Sequence, residues 1–136
     1  MRRLYDHIDL RVPDLKKAAP FYERLLPALG FTRKVDAEAW LQFEAGDGDI
    51  TEFFGLTESA HHVPNENRIA FWAESNERVD QLAEVAKKAG AQNMEGPMLY
   101  EPGYYAVFFE DPWGNRLEIC HRVKVALQRR TEALSR

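Results

Sequence analysis

The chain has 136 residues, a formal net charge of −4 at pH 7 and one cysteine. The acidic balance excludes a global basic field for nucleic acid. The lone cysteine excludes an internal disulfide and suits a reducing cytoplasm, and no apolar run approaches the roughly 20 residues of a membrane span. An apolar content of 45% with 29% charged residues is that of an ordinary globular protein. The length predicts one compact domain, or two small modules sharing a core. No apolar core of a secretion signal follows Arg2-Arg3, so the cytoplasm is the expected compartment.

The first strand is predicted over Tyr5 to Val12, where Ile8, Leu10 and Val12 alternate with His7, Asp9 and Arg11. Asp14 is a helix cap, and Ala18, Tyr22, Leu25 and Leu29 recur at helical spacing. Pro20 is expected to kink this helix or reset its first turn, and Pro27 with Gly30 to close it. Phe31 to Val35 and Ala39 to Glu44 read as strands, followed by the Gly46-Asp47-Gly48-Asp49 turn and a short strand from Ile50 to Phe54. A polar linker, 56–66, carries His61, His62 and Pro64. Arg68 to Ala73 is a fresh alternating strand. Ser75 or Asn76 caps a helix whose stripe is Val79, Leu82, Ala83, Ala86 and Ala89, ended by Gly90. Met94 to Tyr100 is a weak strand or a loop interrupted by Gly96-Pro97. Tyr104 to Glu110 and Arg116 to Cys120 are strands joined by the turn Asp111-Pro112-Trp113-Gly114-Asn115, and a basic tail occupies 123–136.

The order strand, helix, strand, strand, strand occurs twice, in modules 4–55 and 67–122. Gly30 aligns with Gly90. Phe43-Glu44 aligns with Phe109-Glu110, and Glu52 with Glu118 at the same offset. On this phase Ile8, Leu10, Phe43, Phe53, Ile69, Phe71, Phe109, Leu117 and Ile119 face the helices. The opposite face carries His7, Asp9, Arg11, Trp40, Gln42, Glu52, Phe54, Arg68, Trp72, Phe108, Arg116 and Glu118, and Tyr104 shares the phase of Phe108. Aromatic and charged groups together are the composition of a ligand cavity rather than of a dry core. A mid-strand carboxylate such as Glu118 also needs a partner, solvent or a cation.

Four stretches carry a resemblance. They are Asp6-His7-Ile8-Asp9-Leu10-Arg11-Val12, Pro20-Phe21-Tyr22-Glu23-Arg24-Leu25-Leu26, Ile69-Ala70-Phe71, and Gly103 to Glu118 with its Asp-Pro-Trp-Gly-Asn turn. On these residues the chain resembles the vicinal oxygen chelate superfamily, which includes glyoxalase I, bleomycin and fosfomycin resistance proteins and extradiol dioxygenases. The resemblance implies an α+β fold, a single glyoxalase-like domain of two tandem βαβββ modules forming curved mixed sheets around a cleft. It also implies a homodimer and a small-molecule ligand.

By position the resemblance implies metal ligation by His7, Glu52 and Glu118, with Glu52 or Glu118 serving as a catalytic base. The remaining ligand position falls on Arg68, which has no lone pair to give. The cofactor implied is one divalent metal (Zn, Ni, Co, Mn or Fe), or none, because of Arg68. Arg68 and Arg116 are expected to bind an anionic group, with Trp40, Trp72, Tyr104 and Phe108 as pocket walls. Two functions follow from the resemblance. The first is a metal-dependent lyase or isomerase acting on a small oxygen-rich molecule. Dioxygenase chemistry is disfavoured there, since its iron site takes two His and one carboxylate. The alternative is a metal-free protein that binds and sequesters a small molecule such as an antibiotic. Alternatively, Glu118 or Glu52 pairs with Arg68.

Overall fold

The computed structural model describes residues 3–124. The chain divides into two compact units at Pro64 and Asn65. Each is a four-stranded mixed sheet with one helix, and both follow the order βαβββ.

In the first unit, β1 (His7–Val12) pairs in parallel with β4 (Ile50–Glu58). Antiparallel β3 (Trp40–Asp47) and β2 (Arg33–Asp36) complete the order β1-β4-β3-β2. The parallel β1–β4 pair requires the long crossover that α1 (Leu15–Leu29) and the β2–β3 hairpin provide. Asp14 caps α1 by accepting from the Lys17 N–H at 3.1 Å, and Gly30 ends it in the left-handed region at φ 118°. The Phe31 N–H bonds the Leu26 carbonyl at 3.0 Å, closing the last turn. The helix is continuous through Pro20, and Gly30 closes it just after Pro27, as expected. Each proline removes one helical hydrogen bond, at about 3 kcal/mol in an unsupported helix. Phe21, Tyr22, Leu25 and Leu26 are fully buried, and at ~1.5–3 kcal/mol each their burial offsets that cost.

The second unit has the order β5-β8-β7-β6. Its β5 (Arg68–Trp72) and β8 (Arg116–Arg122) are parallel; β7 (Tyr104–Glu110) and β6 (Gln92–Glu101) are antiparallel. Ser75 caps α2 (Asn76–Ala89) and Gly90 ends it. Val79, Leu82, Ala83 and Ala86 are buried on α2; Phe71, Val107, Phe109, Leu117 and Ile119 are buried on the strands. The weak strand at Met94 to Tyr100 is real. Pro97, which has no N–H for a ladder, is accommodated because β6 is an edge strand with two register shifts flanking Glu95.

The turn between β7 and β8 is built around Asp111, which is fully buried. Its Oδ1 accepts from the N–H groups of Trp113 and Asn115, both at 2.9 Å, and its Oδ2 accepts from Asn115 Nδ2 at 2.8 Å. One carboxylate thus closes the whole turn and fixes the register in which β8 returns beside β7.

β4 departs from the sequence reading in two ways. It extends through Leu56, Thr57 and Glu58, beyond the predicted strand end at Phe54 and into the predicted linker. Its phase is also the reverse of the one predicted. Phe54 and Leu56 are fully buried, and Phe54 packs on Tyr22 and Phe31, whereas Phe53 lies beside His7. Two adjacent phenylalanines satisfy either phase, and Leu56, two residues beyond Phe54, is the sequence signal that favours the observed one. The tail expected at 123–136 lies, from residue 125 on, outside the described residues.

Candidate functional site

Each sheet has one face covered by its helix and one open face. In the first unit the paired positions His7 and Phe53, Asp9 and Gly55, and Trp40 and Thr57 share the open face. The His7 ring stacks on Phe53, centroids 4.4 Å apart and planes within 2°. His7 Nδ1 donates to Asp6 Oδ2 at 2.7 Å, which leaves Nε2 as a free acceptor. The Thr57 hydroxyl donates to Asp9 at 2.7 Å, and Arg11 lies 3.3 Å from the other Asp9 oxygen. His7, Asp9, Trp40, Phe53, Gly55 and Thr57 line a cavity of about 110 Å³.

Glu52 is not among them. It pairs with Ala45 and shares the phase of Phe54, so it projects to the opposite face from His7. The equivalence drawn between Glu52 and Glu118 fails for the same reason. His7 pairs with Phe53 as Arg68 pairs with Arg116; two residues on, Asp9 pairs with Gly55 as Ala70 pairs with Glu118. Gly55 therefore holds the position matching Glu118. The alignment of Glu44 with Glu110 holds, since each stands opposite the matching residue, Phe53 or Arg116.

In the second unit, Arg68, Trp72, Tyr104, Phe108, Arg116 and Glu118 share the open face, as expected. Glu118 is buried between Ala70 and Phe108, and its Oε2 accepts a hydrogen bond from the Tyr104 hydroxyl. Burial, and then this bond to a carboxylate, push the Tyr104 hydroxyl well above the usual tyrosine range. Burial, followed by the charge of Glu118, lifts the neighbouring Cys120 thiol to about 11. The Arg68 guanidinium lies 4.6 Å from the centre of the Phe108 ring, and that of Arg122 lies 4.1 Å from the Tyr104 ring. Tyr100 packs edge-on against Phe108, and its buried hydroxyl has no partner among the described residues. Trp72 is 68% exposed. The anticipated pairing of Glu118 with Arg68 is absent among the described residues: tyrosine, not arginine, satisfies this carboxylate.

Sequence reading missed Asp6 and Phe53, which orient His7, and the bond that joins Tyr104 to Glu118. Their shared strand phase was the available signal for Tyr104.

The sequence matches the model of the glyoxalase/bleomycin resistance protein/dioxygenase superfamily over residues 4–119. The chain belongs to this superfamily. Its fold is similar to that of a glyoxalase/bleomycin resistance protein from Albidiferax ferrireducens T118, at 25% identity and a TM-score of 0.70, covering 88% of this chain and 98% of that one. The hypothetical protein SA1046 from S. aureus is 26% identical with a TM-score of 0.64, covering 89% and 94%. The fosfomycin resistance protein FosX from Listeria monocytogenes, in complex with Mn(II) and sulfate, shares the fold at 22% identity and a TM-score of 0.69, covering 95% and 98%. None of the curated proteins matches the sequence significantly.

A protein metal site of this kind draws on three or four donors. In the first unit His7 has Nε2 to offer, and in the second, separately, Glu118 has Oε1. Glu52 faces the wrong way, and Arg68 has no lone pair. Among the described residues no three His, Cys, Asp or Glu side chains stand together to hold an ion. The donor set does not fit the metal centre that the resemblance implies.

Proposed function

We propose that this protein binds a small organic molecule on the open face of its second sheet without a resident metal, in the manner of the sequestering members of its superfamily. The observation that carries this reading is Arg68. It occupies a ligand position of the metal enzymes, yet it leaves Glu118 alone and lies on Phe108 instead. A guanidinium on an aromatic face is a surface for an anionic or planar group. Tyr104 keeps the Glu118 carboxylate satisfied without an ion. The exposed Trp72 ring adds an apolar wall on the same open face. The protein acts in the cytoplasm as a homodimer in this reading.

One observation favours the second reading, a metal-dependent lyase or isomerase with His7 as a metal ligand. The Asp6–His7 hydrogen bond holds the imidazole as ligating histidines are held, with Nε2 free. Metal analysis and a thermal-shift screen of small oxygen-rich and aromatic compounds separate the two. Metal-free binding predicts well under one equivalent of Zn, Ni, Co, Mn or Fe per chain and ligand shifts that survive EDTA. One tightly held metal per chain, with ligand shifts abolished by EDTA and by His7→Ala, overturns it.

A further inference from the structure

At one end of the open face of the second sheet, Arg68 and Arg116 are direct partners in register on parallel neighbouring strands. Such strands lie about 4.8 Å apart, so two like-charged side chains leave the sheet from neighbouring positions. That arrangement is unfavourable unless solvent or an anion compensates it. Neither guanidinium forms an ion pair among the described residues, although Glu110 stands directly opposite Arg116 in register. Glu110 is instead engaged by Asn93, whose Nδ2 donates to it at 2.9 Å. Arg68, Arg116, Asn93, Glu95, Phe108 and Glu110 line a groove of about 170 Å³. The matching position in the first unit is filled by the His7–Phe53 stack. The paired arginines are thus specific to the second unit.

We propose that this groove is a subsite for the carboxylate of a monoanionic ligand, held between Arg68 and Arg116 with its carbon stem against Phe108. Two guanidiniums present parallel N–H donors to the two oxygens of a carboxylate. Glu95 and Glu110 on the rim set the selectivity. They repel a dianion such as phosphate more strongly than a monoanion. The inference rests on the small-molecule reading above but not on whether a metal is present.

The test is an NMR titration of the intact protein with acetate, benzoate and inorganic phosphate at pH 8 and constant ionic strength, with chloride as the balancing salt. The Arg Nε–H signals and the amides of β5 and β8 report occupancy. The expected result is saturable binding of acetate, stronger binding of benzoate because of Phe108, and weaker binding of phosphate. Arg68→Gln and Arg116→Gln should each weaken the carboxylates by roughly tenfold, the scale of one lost charge-assisted hydrogen bond. Arg116→Lys keeps the charge but loses the fork, and should weaken them less. Lys87→Gln, on the exposed side of α2, should leave the titration unchanged. Tight metal uptake with an intact carboxylate titration would remove the metal-free reading and leave this subsite standing. No saturable shift beyond chloride, equal binding by the Gln variants, or phosphate binding more tightly than acetate overturns the proposal.

Discussion

Tyr104→Phe removes one hydroxyl and nothing else, and it isolates what holds the Glu118 carboxylate. Glu118 is 6% exposed, so water cannot readily replace the lost donor. A hydrogen bond to a charged group contributes about 1.5–3 kcal/mol, and a buried acceptor left without its donor carries its full desolvation cost. Tyr104→Phe should therefore destabilise the fold by about 2 kcal/mol, or roughly 8 °C in Tm for a chain of this size. Tyr105→Phe is the matched control. Its hydroxyl donates to Asp80 at 2.5 Å, but that pair is exposed and water can take over. The control should cost less than about 1 kcal/mol. Urea unfolding of both variants measures the difference. In a Glu118→Ala background, Tyr104→Phe should cost under about 0.5 kcal/mol, because the bond is already gone. If Tyr104→Phe alone stays within about 0.5 kcal/mol of wild type, the hydroxyl does not satisfy Glu118, and the account of this site is wrong.

Other substitutions probe the frame around the site. Asp111→Ala strands two backbone N–H groups and the Asn115 amide in the buried turn, and should cost about 3–5 kcal/mol by denaturant melt. A loss under about 1 kcal/mol would show that the turn closes without it. Gly90→Ala places a side chain in the left-handed region at φ 113° and should cost about 1–2 kcal/mol, measured in the same way. A neutral result refutes strain at the α2 cap. Cys120 has a folded-state pKa raised from 9.0 to about 11, so the unfolded chain loses this proton first as pH rises. Its contribution to stability is complete below pH 9 and is lost between pH 9 and 11. Cys120→Ala should flatten the stability profile in that window, and an unchanged profile assigns the alkaline loss elsewhere.

Much of the fold follows from local sequence. Asp14 and Ser75 start the helices and Gly30 and Gly90 end them, because capping and left-handed backbone are local chemistry. The strand phases of His7, Arg68, Phe108, Arg116 and Glu118 are equally legible, since each lies in a run with one consistent alternation. Pro20 and Pro27 both lie within continuous α1. Their cost is local, but the burial that offsets it comes from the sheet beneath.

The site itself was only half legible. In β4 the Phe53-Phe54 pair leaves the alternation ambiguous, and the choice was made by Tyr22 and Phe31 packing on Phe54 and by His7 stacking on Phe53. That choice turned Glu52 away from His7 and placed Gly55 opposite Asp9. Side-chain partners were likewise settled in three dimensions. A hydrogen bond between Tyr104 and Glu118 depends on two strands meeting in one register, and so does the neighbouring of Arg68 and Arg116. The sequence by itself determined the two βαβββ units and the positions on each strand that point away from the helices. Tertiary structure decided which of those positions meet, because pairing register and packing are set between segments far apart in the chain.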